Sequence, residues 1–188
     1  MQGHDSGGPA WWNMIVTTLP GRPRFLAALG GLRRLGEFRA TSFRDVCLGR
    51  VEDGTLFLEA LLAARAGGEP WALAVARAIP VEQTFAFTPE TLAAQLEAAL
   101  APLAARMGAA SFHLRLERRG LAEKLPSDRI ERAVADHLFS LAEARGVTLH
   151  TSFDDPDYVL VAETVGAECG VALLPRAMRE RYPFVAAR

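Results

Sequence analysis

The chain has 188 residues, of which 50% are hydrophobic and 23% are charged, and its formal net charge at pH 7 is −1. This composition is typical of a soluble globular protein with one large domain or two small ones, and it excludes a protein that is basic throughout. Any surface that binds nucleic acid must therefore be a local patch of positive charge. Arginine supplies almost all of the positive charge, because Lys124 is the only lysine.

The first ten residues are polar and rich in glycine, and no long apolar run follows them. We expect residues 1–11 to form a disordered tail rather than a signal peptide or a membrane anchor. The two cysteines, Cys47 and Cys169, lie far apart in the sequence and indicate neither a disulfide framework nor a metal site. A reducing, cytoplasmic environment is the simplest interpretation.

The first half of the chain predicts alternating strands and helices. Apolar residues at intervals of three or four predict the helices, and β-branched or alternating apolar residues predict the strands. In chain order, we expect a strand over 12–19, a helix over 22–35, a strand over 38–51 that is bulged or broken near Arg44 and Asp45, a helix over 54–65 and a strand over 71–81. This β-α-β-α-β order predicts an α+β domain of the ferredoxin-like type over residues 12–87.

A helix that begins at Thr88 and Pro89 is expected at the boundary with a second domain, over residues 88–188. Pro102 is expected to kink or divide this helix before Gly108 ends it. The later elements are predicted as a strand over 112–117, a helix over 127–145, a short strand over 147–153, a buried strand over 158–165, a returning strand over 171–174 and a basic, partly helical segment over 176–181.

Basic residues gather in the stretch from Phe112 to Arg132, which predicts a strand, a loop and the start of a helix. Ser127 is the expected helix cap. The candidate phosphate contacts are Arg115, Arg118, Arg119, Lys124, Ser127, Arg129 and Arg132. Guanidinium groups form charge-assisted bonds with phosphate, and the N–H groups at a helix start add partial positive charge. A solvated basic face, with Arg132 paired to Asp136 one helical turn away, stays open as the alternative.

The sequence contains no pattern that we interpret as catalytic. A glycine-rich phosphate loop is absent, and the four histidines have no metal-ligand spacing. Asp154, Asp155 and Asp157 form a cluster that is more typical of turn capping than of a cation site. We therefore expect a protein that is not an enzyme and that holds neither a metal nor a cofactor.

Several segments of the second half occur together in one known family. They are FHLRLERRG (112–120), the helix entry over 124–127, IERAVADHLFSLAEARG (130–146) and DDPDYVLVAETVG (154–166). In this order they resemble a THUMP domain, an RNA-binding module of tRNA-modifying enzymes, over about 88–184. The segments NMIVTTLPGRPRFLAALGGLRRLGEF (13–38) and FRDVCLGRVEDG (43–54) are similar to the stand-alone THUMP proteins, the Tan1-like adaptors of tRNA acetylation.

The resemblance implies a ferredoxin-like N-terminal domain followed by a THUMP domain that captures the acceptor end of tRNA. It also implies presentation of the tRNA to a separate enzyme, which in the eukaryotic adaptors is an acetyltransferase that makes N4-acetylcytidine. By position, the basic strand, loop and helix entry would contact RNA, whereas Pro156 and Asp157 would be structural. Charge reversal at Arg118 and Arg119 is then expected to weaken RNA binding with little loss of fold.

Two other functions stay open at this point. The chain would fit a subunit of a tRNA-modifying enzyme with a weak active site of its own. It would also fit a protein-interaction domain that has this fold but has lost RNA binding, which the net charge of −1 favours.

Overall fold

A computed structural model describes residues 10–185, and the predicted tail over 1–11 lies outside them except for its last two residues. The described chain divides into two compact units. The first contains residues 11–81 together with 178–185, and the second contains residues 82–177 together with Ala10. No helix within the described residues is long and apolar enough to cross a membrane.

The first unit is a four-stranded antiparallel sheet with helices. Its elements are β1 (Met14–Thr18), α1 (Arg22–Leu32), β2 (Glu37–Ala40), β3 (Val46–Arg50), α2 (Gly54–Ala66), α3 (Pro70–Leu73) and β4 (Val75–Pro80). The strands lie in the order β2-β3-β1-β4, and every neighbouring pair is antiparallel. Apart from the one-turn helix α3, this β-α-β-β-α-β succession is consistent with the ferredoxin-like arrangement that we expected.

One predicted strand of this unit has the expected break, and another differs from the structure. The segment over 38–51 is broken near Asp45, as expected, and forms a hairpin of β2 and β3 with Asp45 in the left-handed region at φ 59°. The strand predicted over 71–81 begins only at Val75, because Pro70 and the three residues after it form the helical turn α3. Proline is favoured in the first turn of a helix, and here that local preference outweighs the apolar alternation.

Helices α1 and α3 meet at a glycine, which gives a testable packing prediction. A Cβ atom added to Gly31 would lie 2.1 Å from Cδ2 of Trp71, whereas one added to the neighbouring Gly30 would meet no atom within 4 Å. We expect Gly31→Ala to lower the free energy of unfolding by ~1–3 kcal/mol because the rigid indole must move. Gly30→Ala, the matched control, should leave stability unchanged or raise it by up to ~1 kcal/mol.

Urea unfolding at constant m-value measures both glycine variants. Equal effects of the two substitutions would contradict this account of the α1–α3 contact.

The second unit is a mixed five-stranded sheet with two long helices. Its elements are β5 (Gln83–Ala86), α4 (Leu92–Ala104), β6 (Ala110–Arg119), a 3-10 turn (Ala122–Lys124), α5 (Ser127–Ala144), β7 (Leu149–Thr151), β8 (Tyr158–Val165) and β9 (Glu168–Pro175), after which α6 (Arg176–Arg181) begins. The strand order is β5-β9-β8-β6-β7. Strand β6 is parallel to both β7 and β8, and the other pairs are antiparallel. The predicted α+β class is confirmed.

The core of this unit follows the predicted patterns closely. Phe112, Leu114 and Leu116 of β6 are buried on one face of the strand, and every residue of β8 after Tyr158 is buried. Helix α5 buries the stripe Ile130, Val134, Leu138 and Ala142. Together with the apolar residues of α4 and with Leu160 and Ala162 of β8, the named side chains of β6 and α5 form one continuous cluster.

The starts of β6 and β8 are joined by a polar contact. The Asp157 carboxylate accepts hydrogen bonds from the Ser111 backbone N–H at 2.9 Å and from the Ser111 hydroxyl at 2.6 Å. The Asp157 N–H donates in turn to the same hydroxyl. These bonds from Ser111 lower the pKa of Asp157 below its ordinary value. Asp157 therefore has the structural role that the family resemblance implied.

The boundary between the units differs in detail from the division at residues 87 and 88. Strand β5 pairs with β9, so residues 83–86 belong to the second sheet. Helix α4 begins at Leu92 rather than Thr88, because residues 88–91 form a turn in which the Thr91 hydroxyl accepts from the Thr88 N–H at 2.9 Å. Pro102 lies inside α4, near its end, without dividing it.

Candidate nucleic-acid interface

The outer half of β6 lies beside the first turns of α5. Strand β7 pairs with β6 only over residues 110–112, so among the described residues no strand covers that side of β6 from His113 onward. Helix α5 contacts this edge instead: Glu131 Oε1 accepts a hydrogen bond of 2.7 Å from the Leu116 N–H. A groove of about 360 Å³ runs between them. We call the surface formed by β6 residues 113–119, the loop 120–126 and the first turns of α5 the β6–α5 face.

The loop of this face is held in a defined path. Gly120 and Leu121 have φ values of 82° and 53°, in the left-handed region, and the 3-10 turn follows them. Leu125 is completely buried, and its carbonyl oxygen accepts a hydrogen bond from the Arg118 guanidinium. The buried Leu125 and its hydrogen bond from Arg118 thus hold the end of the loop in place just before α5 begins.

Three of the predicted contacts are exposed, although the pKa of Glu90, which its own backbone hydrogen bond mainly lowers, is lowered further by the nearby Lys124. Lys124, Arg129 and Arg132 all have exposed side chains, and within residues 10–185 none of them forms an ion pair or a side-chain hydrogen bond. The pair anticipated between Arg132 and Asp136 is thus not formed in this part of the chain. Because the three cations lie in the 3-10 turn and the first two turns of α5, they occupy one short stretch of surface.

Ser127 is the first residue of α5 rather than its cap. Pro126 occupies the cap position, and its side chain makes no hydrogen bond to the first N–H groups of the helix. The Ser127 hydroxyl lies 3.3 Å from Oδ1 of Asp128. The positive end of the α5 dipole therefore faces the same surface as the three exposed cations.

Arg119 has a different environment from the one expected of an RNA contact. Its guanidinium forms an ion pair with the carboxylate of Glu163 on β8, whose side chain is only 1% exposed, while that of Arg119 is 13% exposed. Its backbone N–H also donates to the Thr164 hydroxyl at 3.1 Å. Charge reversal at Arg119 would place two carboxylates together in the protein interior, so the expectation of little loss of fold does not hold for this residue. We assign Arg119 a structural role.

Arg115 is intermediate between these two groups. Its Nη2 atom lies 3.7 Å from Oε2 of Glu117 on the same strand, and both side chains are about one third exposed. An ion pair of this kind contributes less than ~1 kcal/mol, so it would exchange readily for a phosphate contact.

Sequence reasoning missed two carboxylates that organise the face, Glu131 and Glu163. Glu131 binds the open edge of β6, and Glu163 holds Arg119. A signal for Glu163 was present, because it is the one charged residue inside the otherwise apolar run YVLVAETV. An acid in a buried strand requires a cationic or hydrogen-bonding partner.

His113 borders the same groove and gives a prediction on pH. Burial is the main cause that lowers the pKa of His113 below its ordinary value of 6.5; Arg115 lowers it further, and Glu131 opposes them. The unfolded chain therefore binds a proton at higher pH than the folded chain. We expect the free energy of unfolding to fall as pH drops from about 7 through the folded-state pKa of His113.

An NMR titration of the His113 ring should give a midpoint below 6.5. In His113→Phe, which retains an aromatic ring, this part of the pH dependence of stability should disappear. A midpoint at or above 6.5 would contradict the burial that we describe for this ring.

In the described part of the chain, no group of three or more His, Cys, Asp or Glu side chains is placed so that it could hold a metal ion. The described residues therefore offer charged and hydrogen-bonding contacts at the β6–α5 face, and no candidate metal centre.

Comparison with known proteins shows the fold. No described protein family and no curated protein matches the chain. Among solved structures, the chain is similar to PH1313 from Pyrococcus horikoshii Ot3, with 10% identity and a TM-score of 0.57 over 86% of this chain and 54% of that one. It is also similar to TrmN from Thermus thermophilus, with 23% identity and a TM-score of 0.55 over 85% and 44% of the two chains.

A third similar structure is that of a 4-thiouridine synthetase in complex with RNA and with bound ATP. The identity is 11% and the TM-score is 0.55, over 86% of this chain and 41% of the synthetase. The chain thus spans about half the length of these proteins or less. Among these solved structures, the 4-thiouridine synthetase is one that is seen with RNA bound.

Proposed function

We propose that this chain is a non-catalytic tRNA-binding protein of the THUMP type, which binds the acceptor end of tRNA and presents it to a separate modifying enzyme. The observation that carries the proposal is the trio of exposed cations without ion-pair partners, Lys124, Arg129 and Arg132, beside the uncapped start of α5. Phosphate is the ligand that suits exposed cations next to free helix-start N–H groups.

The chemistry of the face favours RNA over a small anion. The three cations are spread along the loop and two helical turns rather than converging on one point. Such a row suits successive phosphates of a nucleic-acid backbone, each of which is neutralised by one cation. The net charge of −1 confines this attraction to the face, so the protein would hold RNA without a general affinity for polyanions.

The division of labour with a second protein is supported by what the chain resembles. The segments over 13–38 and 43–54 are similar to the Tan1-like adaptors, which present tRNA to a separate enzyme. We propose that catalysis comes from a partner, and that an acetyltransferase making N4-acetylcytidine is the first partner to test. The buried free thiols of Cys47 and Cys169 fit a cytoplasmic location.

The test combines binding and reconstitution. Purified protein should bind tRNA, should lose affinity for tRNA that lacks its single-stranded 3′ end, and should yield no modified nucleoside when incubated with tRNA and common cofactors. When an enzyme that co-purifies with the chain is added to the same mixture, a modified nucleoside should form. A product formed by the chain alone would contradict the adaptor role.

A protein-interaction domain is the second candidate. Glu163 pairs with Arg119 and Glu117 lies close to Arg115, so carboxylates of the chain itself compete with phosphate for two of the predicted contacts. Protein partners that are retained after nuclease treatment, with no binding of tRNA, would favour it.

A further inference from the structure

A second groove on the same flank contains an unusual exposed aromatic residue. It has a volume of about 330 Å³ and lies between β6, the first half of α5 and the chain that follows β7. Phe153 stands at its edge with 73% of its surface exposed, the largest exposure among the large hydrophobic residues described. This ring leaves apolar surface in water that a ligand could cover, and its place at a groove gives such a ligand somewhere to bind.

The rings in this groove are arranged for stacking. His113 meets Phe153 edge-on, with ring centroids 5.0 Å apart and an interplanar angle of 74°. In an edge-to-face contact of this kind, His113 covers at most one face of the phenyl ring and leaves the other open. Phe112 and Phe139, whose ring centroids are 5.4 Å apart, also line the groove. Phe153 therefore offers a supported and open aromatic surface.

The groove has more carboxylates than cations, so it suits a base better than a phosphate. Asp128, Glu131 and Asp136 line it, against the single cation Arg132. Three carboxylates repel a phosphate group, but they accept hydrogen bonds from the exocyclic amino groups of cytosine, adenine or guanine. Uracil has no amino group and offers only its ring N–H donor.

We propose that this groove is a stacking slot for one unpaired nucleobase that carries an exocyclic amino group. The base lies on Phe153, its amino group faces the carboxylates, and the adjoining phosphates lie on the cations of the β6–α5 face. Arg132 belongs to both sites, which makes them continuous. This inference rests on the proposed function, because it assumes that RNA occupies the neighbouring face.

The test uses short single-stranded RNA oligomers of C, A or U with the full chain. Wild-type protein should bind the C and A oligomers about 10-fold or more tightly than the U oligomer. Phe153→Ala should weaken binding of the C and A oligomers about 5- to 150-fold, the range for loss of one base–aromatic stack. Phe153→Trp should retain wild-type affinity, and the salt dependence should be the same for all three proteins.

Failure of this inference is distinguishable from failure of the proposed function. Suppose that wild-type protein binds tRNA with the expected salt dependence and that Phe153→Ala binds every oligomer as tightly as wild-type protein does. The stacking slot is then overturned, while the proposed RNA binding stands. If wild-type protein binds no tRNA, both are overturned. Because Phe153 is exposed, unchanged thermal melting of Phe153→Ala will show that the fold is intact.

Discussion

Replacing Arg119 with alanine should lower the free energy of unfolding by ~3–5 kcal/mol, the typical cost of removing one partner from a buried ion pair. The substitution takes away the guanidinium that faces the carboxylate of Glu163, which is 1% exposed. Urea unfolding of the variant measures the loss directly. A loss below ~1 kcal/mol would show that the pair is solvated, and it would return Arg119 to the list of candidate RNA contacts.

Two controls separate the pair from its surroundings. The double variant Arg119→Met and Glu163→Met should recover most of the stability, because a buried ion pair can be replaced by apolar side chains at little cost. Arg115→Ala removes a guanidinium that lies 3.7 Å from Glu117 on a side chain about one third exposed, and it should cost less than ~1 kcal/mol. If Arg115→Ala were as destabilising as Arg119→Ala, burial of the ion pair would not explain the loss of stability in Arg119→Ala.

Reversing two charges on α5, with Arg129→Glu and Arg132→Glu, should weaken tRNA binding about 100-fold or more. Each exposed guanidinium would lose a charge-assisted bond to phosphate worth ~1.5 kcal/mol or more, and 1.4 kcal/mol corresponds to a factor of ten. Stability should change by less than ~1 kcal/mol, because neither side chain has a partner in the part of the chain that the structure covers.

The matched control changes the total charge by the same amount at other positions. Arg22 and Arg145 are both exposed; Arg22 begins α1, and Arg145 follows the end of α5, about 24 Å from Arg129 at 1.5 Å per residue. Arg22→Glu with Arg145→Glu should lower tRNA affinity by less than about 5-fold, as expected for a general charge effect alone. Equal losses for the two double variants would mean that overall charge, rather than the β6–α5 face, controls binding.

The parts of the fold that local patterns determine were predictable from the sequence. Helix α5 and strands β6 and β8 follow from apolar spacing, because each of them packs one face or both faces into a core. The turn α3 was missed, because Pro70–Leu73 combines strand-like alternation with a helix-starting proline. Strand β5 was not predicted, and its residues were placed in the first domain, because pairing between β5 and β9 joins residues more than 80 positions apart.

The candidate site shows the same division. Lys124, Arg129 and Arg132 are exposed because their positions in a loop and on the polar side of a helix are local properties. Whether Arg119 is exposed or paired with Glu163 depends on the register between β6 and β8. Partner residues of these strands are about 46 positions apart, and no local pattern specifies that register. The exposure of Phe153 was hidden as well, because the strand expected to reach it ends at Thr151.

The salt dependence of tRNA binding by the wild-type protein tests the central claim most directly. If the three exposed cations each neutralise one phosphate, log Kobs should fall against log salt with a slope of about −2 to −3, at ~0.7 per single-stranded and ~0.9 per duplex phosphate. A slope near zero, or the absence of measurable binding at 50 mM salt, would contradict the account.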